Sequence, residues 1–285
     1  MNLQAVSIFL LTIATAVTSK NLNFILNNTP TIEKNLLTIE EAPWQVSIQT
    51  HGVHFCSGAI LNEEWIITSA QCIIDNLVST SVKIHAGSSN RYYNGSTHSI
   101  VKQIKHGSFK FNECKIPIYD IGLIKLQDKL ILDETRQPIK LSRGNLIPDN
   151  KRVDVTAWND YFNDDRFSVY IEKNYWDIIP ETECGSYYYF LNRIPPGVMC
   201  GVNANNLINN PCTVNEVGYP MVVNGYLVGI KSWKPDCYIF PEAPALFTNI
   251  TSHLDWIKSN TGIKPMENKL LPKQTEDNYY QVIRF

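Results

Sequence analysis

The sequence predicts an all-β architecture: a double barrel of short antiparallel strands followed by one C-terminal helix. Three observations predict it. Short segments of alternating polarity recur between turn residues, as in Trp44-Gln45-Val46-Ser47-Ile48-Gln49, the period-two pattern of half-buried strands. Met221-Val222-Val223-Asn224-Gly225-Tyr226-Leu227-Val228-Gly229-Ile230 is a hairpin signal, because Asn-Gly supplies both positive-φ positions of a type I′ turn. Helical spacing shows once, from Thr251-Ser252 through Leu254-Asp255-Trp256-Ile257-Lys258, with a Ser/Thr cap and Gly262 as its stop.

Taken in order, the chain opens on an apolar run, Ala5 to Val17, that ends in small residues around Val17-Thr18-Ser19. This reads as a secretory signal over residues 1–19. The run is short for a membrane span, and no later stretch reaches about 18 apolar residues, so a secreted, extracellular product with no membrane association is expected. Residues 20–30 form a polar, Asn-rich, pro-like segment ending at Pro30. Ile121-Gly122-Leu123-Ile124-Lys125-Leu126 is more continuously apolar, as a strand covered on both faces would be. Residues 263–285 are polar, contain two prolines, and read as an extension that hangs off the domain.

A chain of 285 residues fits one large two-lobed β domain or two small ones. The balance of 25 Lys+Arg against 27 Asp+Glu gives no support to nucleic-acid binding. His51, His54, His85, His98, His106 and His253 show no HxxxH or Cys/His metal spacing, so neither a metal nor a cofactor is expected. Seven cysteines (Cys56, Cys72, Cys114, Cys184, Cys200, Cys212, Cys237) suit an oxidising compartment. Their number and spacing leave the pairing open. Three sequons, at Asn27, Asn94 and Asn249, are acceptor motifs for N-linked glycans.

Several segments carry a family resemblance in order and spacing: Ala42-Pro43-Trp44-Gln45-Val46-Ser47, His54-Phe55-Cys56-Ser57-Gly58, Trp65 to Cys72, Tyr119-Asp120-Ile121-Gly122-Leu123-Ile124, Ala157-Trp158-Asn159, Gly218-Tyr219-Pro220 and Gly229-Ile230-Lys231-Ser232-Trp233. Together they resemble the trypsin-like, chymotrypsin-fold serine proteases. The resemblance covers residues 31–262 and implies two six-stranded antiparallel barrels, with lobes of about 31–140 and 141–262 and a boundary near Gln137 to Arg143. It also implies the disulfides Cys56–Cys72, Cys184–Cys200 and Cys212–Cys237. Cys114 is left over, either as an unpaired thiol or as half of an intermolecular disulfide.

The catalytic positions depart from that pattern. Trp65-Ile66-Ile67-Thr68-Ser69-Ala70-Gln71-Cys72 places Gln71 where the family carries its catalytic histidine. An amide has no basic nitrogen near neutral pH and cannot shuttle a proton. Asp120 matches the third triad member, which orients that histidine; without an imidazole it reads as a buried carboxylate held by backbone and hydroxyl donors. In Cys212-Thr213-Val214-Asn215-Glu216-Val217-Gly218-Tyr219-Pro220, counting back from Pro220 puts Val217 at the nucleophilic serine and Asn215 at the oxyanion-hole glycine. Glu216 falls at the aspartate that receives the new N-terminus of an activated protease. Valine offers no nucleophilic atom, and the loop is one residue longer than the family's, which should disturb the oxyanion donors.

Activation and substrate entry change as well. Thr31-Ile32-Glu33-Lys34, preceded by Pro30, lacks a basic cleavage residue and a glycine pair, so no activating cut is expected. Asn210 matches the specificity carboxylate, Ala245 a pocket glycine, and Lys234 a cleft glycine where its side chain would obstruct a substrate. His54 matches a structural histidine. A hydrolase with an unconventional site would need an activated Ser or Cys beside a base, which the sequence does not display.

The resemblance therefore implies a proteolytically inactive homologue acting as a binding protein. Among degenerate members the chain is similar to the inactivated serine protease paralogues of the scabies mite, relatives of the mite group 3 allergens. That likeness implies partners among host or self secreted proteins, complement components first, with a decoy for protease inhibitors or substrates as the alternative.

Overall fold

Polarity and burial part company at the first strand, and that difference locates the junction between two barrels. The computed structural model describes residues 36–75, 81–144, 152–158, 169–188, 194–204, 216–235 and 243–266. The signal and pro-like segments, Asn27, Asn210, Asn215, the Cys212–Cys237 pair and residues 267–285 lie outside the described residues.

The first half contributes β1 (Gln45–Thr50), β2 (Val53–Ile60), β3 (Trp65–Thr68), β4 (Val82–Ala86), β5 (Ser96–Lys105), the short pair β6 (Lys110–Phe111) and β7 (Pro117–Ile118), and β8 (Gly122–Leu126). Six of them close an antiparallel barrel in the order β1-β2-β3-β8-β5-β4. The second half contributes β9 (Lys140–Leu141), β10 (Arg152–Ala157), β11 (Glu172–Ile179), β12 (Val198–Asn203), β13 (Pro220–Val223), β14 (Tyr226–Trp233) and β15 (Ala245–Asn249). Its order is β13-β10-β11-β12-β15-β14, and pairing of β13 with β14 closes a second six-stranded barrel. β9 runs parallel beside the start of β14, Tyr226 facing Lys140. The β13–β14 turn is Asn224-Gly225, at φ +51° and +77°, as the hairpin signal requires.

Each barrel fills its centre with alternate side chains. Val46, Ile48, Ile60, Ile66, Ile84 and Ile124 pack the first; Val155, Trp176, Met221, Val228 and Phe247 pack the second. β1 departs from the simple alternation expected of a half-buried strand. Gln45, Ser47 and Gln49 are as sequestered as Val46 and Ile48, because the outer face of β1 lies against other chain rather than water. Each polar side chain there has a partner: Gln45 Oε1 accepts Thr156 Oγ at 2.7 Å, Gln49 Nε2 donates to the Arg91 carbonyl at 2.6 Å, and Ser47 pairs with His54.

The helices differ from expectation in two ways. A seven-residue helix, α1 (Glu181–Tyr187), follows Pro180 and carries Glu181 and Glu183 in its first turn, where acids suit the helix dipole. It buries Cys184 alone, too little for a 3.6-residue pattern to show in the sequence. The terminal helix α2 (Leu254–Thr261) follows a 3₁₀ turn, Ile250–His253, whose cap is Asn249 rather than Ser or Thr. Gly262, at φ +75°, ends it. Ile257 then plugs α2 into a core with Trp65, Ile67, Leu123, Leu227 and Ile230, drawn from both barrels. The segment after α2 does not hang free from its first residue. Met266 bridges to Ser142, its N–H donating to Leu141 at 2.8 Å and its carbonyl accepting Arg143 N–H at 3.2 Å.

Candidate functional site

β3 delivers the chain to Ser69 and a 3₁₀ turn, Ala70–Cys72. There the Cys56–Cys72 disulfide ties it to β2. Gln71 sits on this turn, and its side chain reaches the buried Asp120 just before β8. The Gln71 Nε2 donates to Asp120 Oδ2 at 2.7 Å and to the Ser232 carbonyl at 2.8 Å. Its backbone N–H lies 3.1 Å from Asp120 Oδ1. Ser69 Oγ donates to Oδ1 at 2.6 Å and Ser232 Oγ to Oδ2 at 2.6 Å. The carboxyl thus takes backbone and hydroxyl donors, and the Gln71 carboxamide besides. Burial pushes the Asp120 carboxyl above its usual range, against the four hydrogen bonds that favour its charge. Because Nε2 is committed to the carboxylate, the amide dipole is fixed with its donor end inward. It can hold Asp120, and its nitrogen, whose lone pair is delocalised into the carbonyl, does not take a proton near neutral pH.

Val217 lies across from this turn. Its side chain packs against the first barrel's core, and its carbonyl accepts Ser57 N–H at 3.2 Å. The next residue must be glycine: Gly218 sits at φ +90°, and a Cβ there would stand 2.1 Å from the Ser57 carbonyl oxygen. Its N–H donates to the Lys231 carbonyl at 2.8 Å, which clamps the segment to β14.

Glu216 organises a second buried network that the sequence reading missed. Its Oε1 lies 2.6 Å from His54 Nε2 and accepts Ser57 Oγ at 2.9 Å, while Oε2 accepts the Tyr219 hydroxyl at 2.6 Å. On the far side of the ring, His54 Nδ1 is 2.8 Å from Ser47 Oγ, which in turn accepts Gln49 Nε2 at 3.2 Å. Burial alone would raise the Glu216 carboxyl; the facing His54 and the Tyr219 and Ser57 hydroxyls outweigh it and hold it below the usual range. Ser47, His54 and Glu216 thus form a hydrogen-bonded Ser–His–carboxylate line, a grouping that can activate a nucleophile when it meets solvent. Here Ser47 is 0% exposed, and the His54 and Glu216 side chains are 2% and 5% exposed. No substrate reaches it, and His54 serves structure.

Lys231 was also missed. It lies 3% exposed on β14, its ammonium 5.2 Å from the Tyr219 ring centroid. Burial pushes it down to about 8, with Glu216 opposing and Lys234 adding to the effect. A lysine directly after the apolar Leu227-Val228-Gly229-Ile230 run, within one strand, was the available signal. Lys234 is half-buried, and desolvation lowers its pKa as well. Ala245 is fully buried on β15 opposite Gly201. Beside it the Tyr188 hydroxyl donates to the Pro244 carbonyl and its ring faces Trp233 at 6.1 Å. Cys184–Cys200 anchors α1 to β12, and Cys114 is an exposed free thiol in the β6–β7 connection.

Residues 33–257 match the family model for trypsin. Hypodermin-B of Hypoderma lineatum is 31% identical over 227 residues, covering 78% of this chain and 84% of that protein. Trypsin of Phaedon cochleariae is 27% identical over 246 residues, covering 79% of this chain and 86% of that protein. Among solved structures, scabies mite inactivated protease paralogue S-D1 is similar with a TM-score of 0.68 at 23% identity, over 82% of this chain and 100% of that one.

Proposed function

The chain belongs to the trypsin family of serine proteases, and we propose that within it this protein is a secreted homologue without proteolytic activity that works by binding. One observation carries the reading. At the histidine's place, the Gln71 carboxamide donates to Asp120 and to the Ser232 carbonyl at 2.7 and 2.8 Å, so the position is structurally filled by a group that cannot act as a general base. Val217 at the serine's place removes the nucleophile as well. Removing either member of such a triad costs about a millionfold in kcat, and the two losses act as one unit rather than adding.

With that chemistry absent, the loops that a double barrel displays become a recognition surface. The scabies mite relative of the same fold is described as inactivated, which supports reading this chain likewise. Host secreted proteases and their cascades, complement first, are the partners to test.

The test has two arms. Purified secreted protein is incubated with a fluorophosphonate probe and broad peptide libraries, alongside a Gln71→His, Val217→Ser double variant. We expect no labelling and no turnover from the natural chain. Covalent labelling, or turnover abolished by a point substitution, refutes inactivity. In the second arm, complement lysis is measured with micromolar protein; unchanged lysis refutes the complement assignment and leaves serum capture to identify the partner.

A further inference from the structure

We propose that Asn94 carries an N-linked glycan whose first sugars lie on the exposed rings of Tyr92 and Tyr93, and that Asn249 carries none. Tyr92-Tyr93-Asn94-Gly95-Ser96 forms the connection into β5, and this loop is unusually well held for one so exposed. The Asn90 Oδ1 accepts the N–H groups of Tyr92 and Tyr93 at 2.9 and 3.0 Å. Ser88 Oγ donates to the Tyr93 carbonyl at 2.7 Å and His85 Nε2 to the Asn94 carbonyl at 2.6 Å. Arg91 N–H donates to Val169, and Asn90 bridges to Tyr170.

Within this frame Asn94 is exposed at φ +61°, a left-handed conformation that Asn tolerates. Gly95 follows at φ +62°, where a Cβ would stand 2.4 Å from the Ala86 carbonyl. The turn therefore presses its backbone onto β4 and leaves the Asn94 carboxamide outward. That carboxamide has no partner among the described residues.

The surroundings name the occupant. Tyr93 is 71% exposed, Tyr92 37% and Tyr170 43%, an aromatic patch beside an acceptor asparagine. Arg91 covers one face of Tyr92, its guanidinium 5.1 Å from the centroid, which fixes that ring. The C–H face of a hexose is apolar, and an exposed ring beside its attachment point removes that face from water without ordering a new loop. In the transfer, Asn94 Nδ2 displaces a polyprenyl diphosphate from C1 of a lipid-linked oligosaccharide. The N–C1 bond forms, the diphosphate leaves with its electron pair, and one amide proton is lost.

Asn249 presents the opposite case. Its Oδ1 accepts Thr251 N–H at 3.0 Å and Thr251 Oγ–H at 2.7 Å, capping the turn that leads into α2. Its own N–H is held by the Gly197 carbonyl at 2.8 Å. A sugar on Nδ2 would start inside that half-buried corner. The inference needs only passage through the secretory compartment and is independent of catalytic inertness.

The full chain is collected from the medium of insect cells, and glycans are released by an amidase in ¹⁸O water before peptide mass mapping. We expect amidase-dependent label at Asn94 and none at Asn249; an Asn94 without amidase-dependent label, or any such label at Asn249, overturns the assignment. The Asn94→Asp variant matches the amidase-released product and tolerates the same backbone. It should melt about 2–4 °C below the glycosylated chain, and that gap should vanish in a Tyr92→Ser, Tyr93→Ser background. A gap unchanged by the tyrosine substitutions overturns the stacking.

Discussion

Acid should loosen the corner where α2 meets the body of the protein, through His253. This side chain is 4% exposed at the end of the 3₁₀ turn before α2. Its ring lies 5.3 Å from His106 and 6.1 Å from Tyr119, while His106 stacks on Tyr119 at 5.0 Å and leans on Trp256 at 5.1 Å. Burial first, and the neighbouring His106 second, push His253 from 6.5 down to about 4. Burial lowers His106 too. Between pH 6.5 and 4 the unfolded chain binds more protons at this residue than the folded one, so stability rises with pH across that window. The contribution is present above pH 6.5 and lost as pH falls towards 4. A shift of that size is worth about 3 kcal/mol at full effect and about 2.4 kcal/mol between pH 7 and 4.5, or roughly 5–10 °C in Tm for a domain of this size.

Thermal melts of the natural chain and a His253→Phe variant at pH 7 and 4.5 read this directly. Any cost of fitting the larger ring is present at both pH values and cancels, as do carboxylates that titrate alike in both proteins. The natural chain should lose 5–10 °C more than the variant on acidification. Equal losses would show that His253 is not the group on which the acid response turns.

Two further substitutions probe the buried charges. Glu216→Gln keeps shape but removes the charge facing His54 and near Lys231; it should cost about 3 kcal/mol by denaturant titration, and an unchanged midpoint refutes the network's role. Lys231→Met removes an ammonium held down to about 8 by burial. The unfolded chain keeps that proton to higher pH, so the natural protein should gain about 2 kcal/mol from pH 7 to 9.5. The variant should lack that gain, and parallel pH profiles would refute the assignment.

How much of this was legible in the sequence depended on whether a feature is local. The Asn224-Gly225 turn and the Gly262 stop are read from adjacent residues, since the backbone conformation they require is a property of those residues themselves. The burial of Gln45, Ser47 and Gln49 was not legible, because alternation reports the chemistry of side chains and not what lies above them. α1 escaped because seven residues with one buried position carry no period. Gln71 and Val217 stand out in the sequence from their local motifs, yet the rotation of the Gln71 amide onto Asp120 depends on β14 supplying Ser232 from more than a hundred and fifty residues away. The partners of Glu216, Ser57 and His54, lay equally far off in sequence.

Two buried carboxylates, Asp120 and Glu216, anchor the candidate site, and each is met by donors from the chain itself. A carboxylate taken out of water without partners costs several kcal/mol. Gln71 meets part of that cost at Asp120: its Nε2 donates to the carboxylate and spends its second N–H on the Ser232 carbonyl. An alanine at 71 would leave Asp120 with Ser69, Ser232 and one backbone N–H. Glu216 shows the same logic in the second barrel. His54, Ser57 and Tyr219 meet its oxygens, with Lys231 adding positive charge nearby. Both acids thus take their donors from within the fold, strongly enough at Glu216 to hold its carboxyl below the usual range, whereas at Asp120 burial still prevails.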